Sequence, residues 1–246
     1  MSRGGYAFGD GDAPARRLAL LAEVFGPASR EFLVREAPPA PRLALDLGCG
    51  PGHTTRLIAE TLGPRRTLGL DTSPDFAARA AREAPSGVAF AVQDVVGRPF
   101  PESPPDLVYA RLLVAHLPDP AAAVAGWAAQ LAPDGVLLIE DTEAIQTEQP
   151  VFVDYVARVA ERLEARGHRL YPGRLLAGLA LRSRLATAGP TAARAAAMFR
   201  LNLDSWCDDP VVHRRLARGL ESLLDDPRTG VITWSVRQAV LGPTSR

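Results

Sequence analysis

The run from Leu43 to Gly52 constrains this chain more than any other stretch. A short apolar segment, 43–47, carries one acid, Asp46, and runs into glycines at the alternate positions 48, 50 and 52. A helical pattern over 53–62 begins directly afterwards. An apolar run bounded by glycines reads as a strand buried in a parallel sheet. Glycine at alternate positions permits a sharp turn and lets a ligand approach the backbone where a Cβ would collide. The helix aims its free N–H groups and the positive end of its dipole into the same space. Strand, turn and helix start make a ligand cradle.

Strand and helix patterns alternate from there. Strands are predicted at 43–47, 67–71, 88–92, 106–110 and 136–140, with helices at 53–62, 74–84 and 120–131 between them. Ser73-Pro74 and Asp119-Pro120 each place a capping side chain before a proline in the first helical turn. This rhythm implies crossover units, hence an α/β, doubly wound, mostly parallel sheet with helices on both faces. Upstream, Asp12 is positioned to cap a helix over 14–25, which Gly26-Pro27 should break. Proline-rich 37–41 then leads into the first strand. Beyond 140, helical spacing recurs over 152–163 and again over 175–185, where Gly189-Pro190 should end the second helix. Residues 193–201 read as a strand, Asp209-Pro210 as a helix start, and 231–236 as a terminal strand.

Charge and cysteine usage narrow the classes. The formal net charge is +0, all 28 basic residues are arginine, and there is no basic run of the kind that tracks a nucleic acid. Cys49 and Cys207 form neither a disulfide framework nor a metal spacing, so no metal is expected and a reducing cytosol suits the chain. No uninterrupted apolar run reaches the ~18 residues of a membrane span. The expectation is a cytoplasmic protein without membrane insertion.

The glycine spacing selects among nucleotides. A dinucleotide fingerprint has its third glycine one residue later than Gly52, and no lysine follows as a P-loop would need. Asp71, ending the second strand, is placed to accept both hydroxyls of an adenosine ribose, and Asp94, ending the third, to accept from an adenine amine. An acidic entrance without a phosphate motif favours a cationic, phosphate-free nucleoside.

With those residues in view, the chain resembles a class I S-adenosylmethionine-dependent methyltransferase of the small-molecule type. The resemblance rests on Leu45–Gly52, Gly69–Pro74, Gln93–Val95, Asp106–Arg111, His116–Pro120 and Pro133–Gly135, within about residues 40–142. It implies a Rossmann-like seven-stranded sheet whose last strand is antiparallel, with extra helices over the active site. It implies S-adenosyl-L-methionine as cofactor, S-adenosyl-L-homocysteine as product, and in-line transfer to a metabolite or natural-product acceptor. The cofactor set would be Asp46, Gly48, Gly50, Gly52, Asp71, Thr72, Asp94, Val95 and Arg111. Asp46 has two compatible readings, as a bond-maker to the turn's N–H groups and as a counter-charge to the sulfonium. Arg111 would bind a carboxylate of the cofactor or substrate, or else form an ion pair between chain segments.

The acceptor side is less defined. His116 is a candidate general base or a structural bond-maker, and Asp141 a candidate for orienting a substrate amine or hydroxyl at the strand mouth. Tyr6, Phe8, His168 and Tyr171 are candidates for a lid; Phe152 and Tyr155 are expected in the core. Residues 1–42 are expected as a helical cap, and 43–246 as the methyltransferase domain with a substrate-covering insertion at about 146–190. A homodimer is compatible with this reading. The other reading is a cofactor-binding protein without methyl transfer, a sensor or a catalyst of pericyclic or elimination chemistry, because fold alone does not define reaction.

Overall fold

A computed structural model describes residues 9–242; Tyr6 and Phe8 lie outside them. A first helix, α1 (Asp12–Glu36), precedes the sheet. The alternating part comprises β1 (Leu43–Leu47), α2 (His53–Leu62), β2 (Arg66–Asp71), α3 (Pro74–Ala81), β3 (Val88–Val92), β4 (Leu107–Arg111), α4 (Pro120–Ala128) and β5 (Val136–Thr147). A single 3-10 turn, Val114–His116, lies between β4 and α4. The remainder is α5 (Pro150–Glu164), α6 (Gly173–Leu179), β6 (Arg182–Ala188), α7 (Ala192–Trp206), α8 (Pro210–Glu221) and β7 (Ile232–Leu241).

The seven strands form one sheet in the order β3-β2-β1-β4-β5-β7-β6. The pairs from β3 through β5 are parallel, while β7 runs antiparallel to both neighbours, β5 and β6. The expected mostly parallel sheet with a reversed last strand is present, and the reversed strand lies inside the sheet rather than at its edge. Strand order reverses between β1 and β4, the position at which such sheets open a crevice beyond their carboxyl ends. Leu45, Leu47, Leu70, Val108 and Ile139 are fully buried, as strands covered on both faces require.

Three segments differ from their sequence reading. The break at Gly26-Pro27 does not occur: α1 continues through Pro27 to Glu36. Proline forfeits one backbone bond, but Leu21, Phe25, Phe32 and Leu33 keep a helical spacing across it and are all buried. Asp12 does not cap this helix; Gly11 holds the cap position and Asp12 pairs with Arg79 of α3. Residues 175–185 split into α6 and the edge strand β6, whose Arg182 and Arg184 reach Glu36 and Glu31 of α1. Charged side chains at an edge are a usual guard against stray pairing.

The expected strand at 193–201 is the helix α7. Thr191 caps it by accepting from Arg194 N at 3.2 Å, and its alanine run has the strongest helix propensity. Ala192, Ala195, Ala196, Phe199, Asn202, Leu203 and Trp206 form its buried face. Burial at three- and four-residue intervals marks a helix that a reading by local β propensity misses.

Candidate active site

Beyond β1 the chain turns through Gly48, Gly50 and Gly52, all with left-handed φ. A Cβ on Gly48 would stand 2.8 Å from Leu113 Cδ1, and one on Gly52 2.8 Å from Phe90 Cζ. The turn is therefore closed on two sides by packing, and its remaining side faces an open cleft. Gly50 N donates to Asp71 Oδ2 at 2.8 Å and Ser73 N to Asp71 Oδ1 at 2.9 Å, so Asp71 braces the turn with one bond on each oxygen. Each oxygen keeps a second lone pair for a ligand hydroxyl. Burial pushes the Asp71 carboxyl above its ordinary value, while its backbone donors oppose that rise.

Asp46 stands off the cleft wall. Its Oδ2 accepts from Thr54 and Thr55 hydroxyls, both at 2.6 Å, and its Oδ1 is buried with no partner. The partners are hydroxyls at the start of α2, in place of the expected N–H groups of the turn. Burial raises this carboxyl to about 6. Cys49 is buried beneath the turn, where burial holds its thiol well above the ordinary value and leaves it a small packing residue.

The cleft runs along the carboxyl ends of β1, β2, β3 and β4. Gly48, Gly50, Asp71, Thr72, Asp94, Val95 and Arg111 all line it. Gly52, expected among the cofactor residues, is not in the cleft wall: it starts α2 and packs against Phe90 and Ala80. Asp94 turns its loop by accepting from Val96 N at 2.9 Å, and Trp127 Nε1 holds Val95 O at 2.8 Å. Arg111 donates to Ser29 Oγ of α1 at 3.2 Å, a hydrogen bond to the cap helix instead of an ion pair. His53 and His168 also face the cleft, whereas Tyr171 is exposed.

A second, inner pocket, with a cavity volume of about 90 Å3, adjoins the cleft. Arg17, Leu21, Leu112 and His116 line both and mark where they meet. Leu112 has a φ of +54°, uncommon for a bulky residue, and this turn after β4 directs it to that junction. Asp141 is in the inner wall rather than at a strand mouth, because β5 continues to Thr147 past a bulge between Thr142 and Ala144. Its oxygens accept from Ala115 N at 3.1 Å and Thr142 N at 2.8 Å, and burial raises it to about 7. Neighbouring Glu140 takes no part: buried, it accepts from Tyr109 and, at 2.6 Å, from Gln238 Nε2.

His116 is part-open to the cleft, yet burial of its imidazole pushes it down to about 3. A ring that holds its proton so weakly is neutral at physiological pH and a poor proton acceptor, against the general-base expectation. Asp141, near 7, has the better-matched basicity. The sequence reading missed Arg17, Leu21 and the α7 residues Met198, Phe199 and Asn202 as pocket residues. Only the i, i+4 step from Arg17 to Leu21 signalled that these two share a helix face. Tyr155, expected in the core, is 2% exposed and also lines the inner pocket. Among the described residues no cluster of His, Cys, Asp and Glu is gathered as for a metal ion, and no helix is long and apolar enough to cross a membrane.

Sheet order, glycine turn and acid-ended strands together define a Rossmann-like nucleoside-binding fold. Residues 45–139 match the family described as methyltransferase domain. Over this part the chain is similar to the methyltransferase domains of that family. The chain is 36% identical over 178 residues to a trans-aconitate 2-methyltransferase of Methylobacterium nodulans, covering 72% of this chain and 64% of that one. The match thus spans less than two thirds of that relative. Among solved structures, the YcgJ protein of Bacillus subtilis superposes with a TM-score of 0.58 at 17% identity, covering 89% of this chain and 99% of that one. A geranyl diphosphate C-methyltransferase of Streptomyces coelicolor, in complex with geranyl diphosphate, Mg2+ and S-adenosylhomocysteine, has a TM-score of 0.52 at 15% identity, covering 97% and 87%. At those identities the likeness is one of fold.

Proposed function

We propose that this protein transfers the methyl group of S-adenosylmethionine to a small-molecule acceptor. The observation that carries the proposal is the junction at Arg17, Leu21, Leu112 and His116, where the nucleoside-shaped cleft opens into a separate pocket. Two adjoining cavities suit a reaction that brings two molecules end to end.

In this reading Asp71 accepts the ribose hydroxyls with the lone pairs that Gly50 N and Ser73 N leave open. Thr72, Asp94 and Val95 border the adenine, Gly48 and Gly50 admit the methionine chain, Gly52 lets the turn close on Phe90, and Arg111 meets the carboxylate. Asp46 acts at one remove, by holding Thr54 and Thr55 at the start of α2. The bound cofactor supplies a sulfonium methyl that needs no further activation. The chain's own part is alignment, which can lower a barrier by roughly 7–11 kcal/mol. Where the nucleophile must lose a proton, Asp141 takes it, and neutral His116 orients the acceptor at the junction. Residues 1–42 act as a cap through α1, and 146–190 as an acceptor cover through α5, with α7 completing the enclosure.

Calorimetry with S-adenosylhomocysteine tests the cofactor half. The transfer half is tested by incubating a cell extract with the protein and S-adenosylmethionine and searching for a metabolite that gains the mass of one CH2. S-adenosylhomocysteine binding with no such product across a broad acceptor panel would instead favour a sensor or non-methyl-transfer role.

A further inference from the structure

The wall of the inner pocket is chiefly hydrocarbon. Its cavity of about 90 Å3 is enclosed by Phe25, Ile145, Val159, Leu163, Met198 and Phe199, drawn from α1, β5, α5 and α7. Three polar side chains set among them are bonded within the chain. Trp206 Nε1 donates to the Tyr155 hydroxyl at 3.1 Å, and the Asn202 amide, 3.2 Å from that oxygen, completes the group. Ala115 N and Thr142 N donate to the Asp141 carboxyl at 3.1 and 2.8 Å. No side-chain oxygen or nitrogen of Tyr155, Asn202 or Asp141 is buried without a partner. Burial raises the Asp141 carboxyl to about 7, as an apolar surround does. Thr142 brings one hydroxyl to this wall, and Arg17 and His116 stand where the pocket meets the cleft.

Such a cavity favours one kind of occupant. Water settles where several polar partners await it, and a void lined by aliphatic and aromatic side chains stays dry. The side chains around a dry void lack dispersion partners on one side. A hydrocarbon group entering it supplies those contacts and leaves water behind, at about fourfold in affinity for each CH2 transferred. A charged or multiply hydroxylated group would give up its hydration for few partners. Size narrows the choice further: an apolar cavity of about 150 Å3 holds benzene, so one of about 90 Å3 admits a smaller group. The pocket meets the cleft beside Leu21 and Leu112, so a group bound inside continues outward past them.

We infer that the inner pocket binds a short alkyl group of the acceptor, smaller than a benzene ring, while the methyl-accepting atom stays outside it at the junction with the cleft. This rests on the cofactor reading of the cleft, and it makes the acceptor an amphipathic molecule with a small apolar end. Ile145 of β5 and Val156 of α5 are partly buried and line this pocket but not the cleft. They are the specificity-determining residues that fix how large the apolar end can be.

Met198 supplies the readout: it is 1% exposed, lines the pocket, and is one of two methionines in the chain, the other being Met1. The full chain, labelled with methyl-13C-methionine, is titrated with ethanol, n-propanol, n-butanol and isoamyl alcohol, with and without saturating S-adenosylhomocysteine. Phenethyl alcohol and glycerol are the controls for size and polarity. The Met198 methyl resonance should follow the alcohols with affinity rising about fourfold per added CH2, and glycerol should leave it in place. Phenethyl alcohol should bind at least tenfold more weakly than isoamyl alcohol. Ile145→Ala enlarges the cavity and should reverse that order, whereas Val156→Phe fills it and should weaken isoamyl alcohol at least tenfold. Both variants should keep S-adenosylhomocysteine affinity within twofold by calorimetry, which also reports that they have folded. The variants act in opposite directions, so if one fails to fold the other still decides. Affinity that stays flat along the series, glycerol that moves the Met198 signal as far as isoamyl alcohol, or an unchanged size preference in the folded variants would overturn the inference. Failure of S-adenosylhomocysteine to bind the unmodified chain would instead count against the cofactor reading, since the alcohols are also measured without it.

Discussion

Gly50 N donates to Asp71 Oδ2 at 2.8 Å, tying the glycine turn after β1 to the end of β2 across 21 residues of sequence. The acid read as a ribose ligand is thus also the strut that shapes the cradle. A ligand meets a preorganised carboxylate whose position is set by backbone N–H groups, which reduces what binding must spend on ordering it.

Asp71→Ala removes the ribose acceptors and the strut together. S-adenosylhomocysteine affinity should fall by about 10–100-fold, the loss of one or two charge-assisted hydrogen bonds. Asp71→Asn keeps one acceptor oxygen for the turn and should fall less. Calorimetry that finds either variant unchanged would remove Asp71 from the cofactor set.

Gly52→Ala should destabilise the fold as well as the site. Its φ of +85° costs an L residue about 1–2 kcal/mol. Overpacking against Phe90 Cζ, 2.8 Å from the new Cβ, adds about 1–3 kcal/mol. Urea denaturation followed by circular dichroism gives the difference, and a shift below about 1 kcal/mol would mean that the turn relaxes freely.

Thr55→Val conserves shape and deletes one of the two hydroxyls on Asp46. Asp46 Oδ1 already lacks a partner, so the carboxyl would be left with the Thr54 bond alone. The expected loss is about 1.5–3 kcal/mol, the range for hydrogen bonds to charged groups. The Asp46 carboxyl should also titrate above its present value of about 6, which carboxylate-selective infrared or NMR spectroscopy can follow.

The stability contributed by Asp46 and Asp141 should decline as pH rises from about 4 to 8. Burial raises Asp46 to about 6 and Asp141 to about 7, above the 3.8 of an unfolded aspartate. In that window these two groups bind more protons in the native state than in the unfolded state, so the stability they contribute below pH 4 is lost as pH passes each native value, while His116, held down to about 3, binds fewer and has the opposite sign up to 6.5. Glu36 and Asp106, held below the usual carboxylate range against burial by Arg182 and Arg42, have the opposite sign and act at lower pH. Asp141→Asn should be less stable throughout, because its amide faces two backbone donors with one oxygen, but its stability should vary less between pH 5 and 8. Equal slopes for the two proteins in urea titrations would show that Asp141 ionises normally.

What sequence determined by itself was the cofactor half of the molecule. From 43 to 140 each element combines an apolar run, a glycine or proline boundary and an acid at a strand end, and these signals act over a few residues. Asp71, Asp94 and the glycine turn could therefore be placed from spacing alone, and the structure puts them around one cleft. Tertiary structure decided the rest. Packing of Phe25 and Phe32 on either side of Pro27 overrode a local breaker, and the α7 alanine run became a helix because its buried face recurs at three and four residues. The continuation of β5 to Thr147 set Asp141 within the inner wall, and the 47-residue separation of Tyr155 and Asn202 was closed by the docking of α7 on α5. The inner pocket is built from such long-range contacts, each costing chain entropy that only the assembled core offsets. No local pattern encodes them, which is why the cradle was legible and the pocket was not.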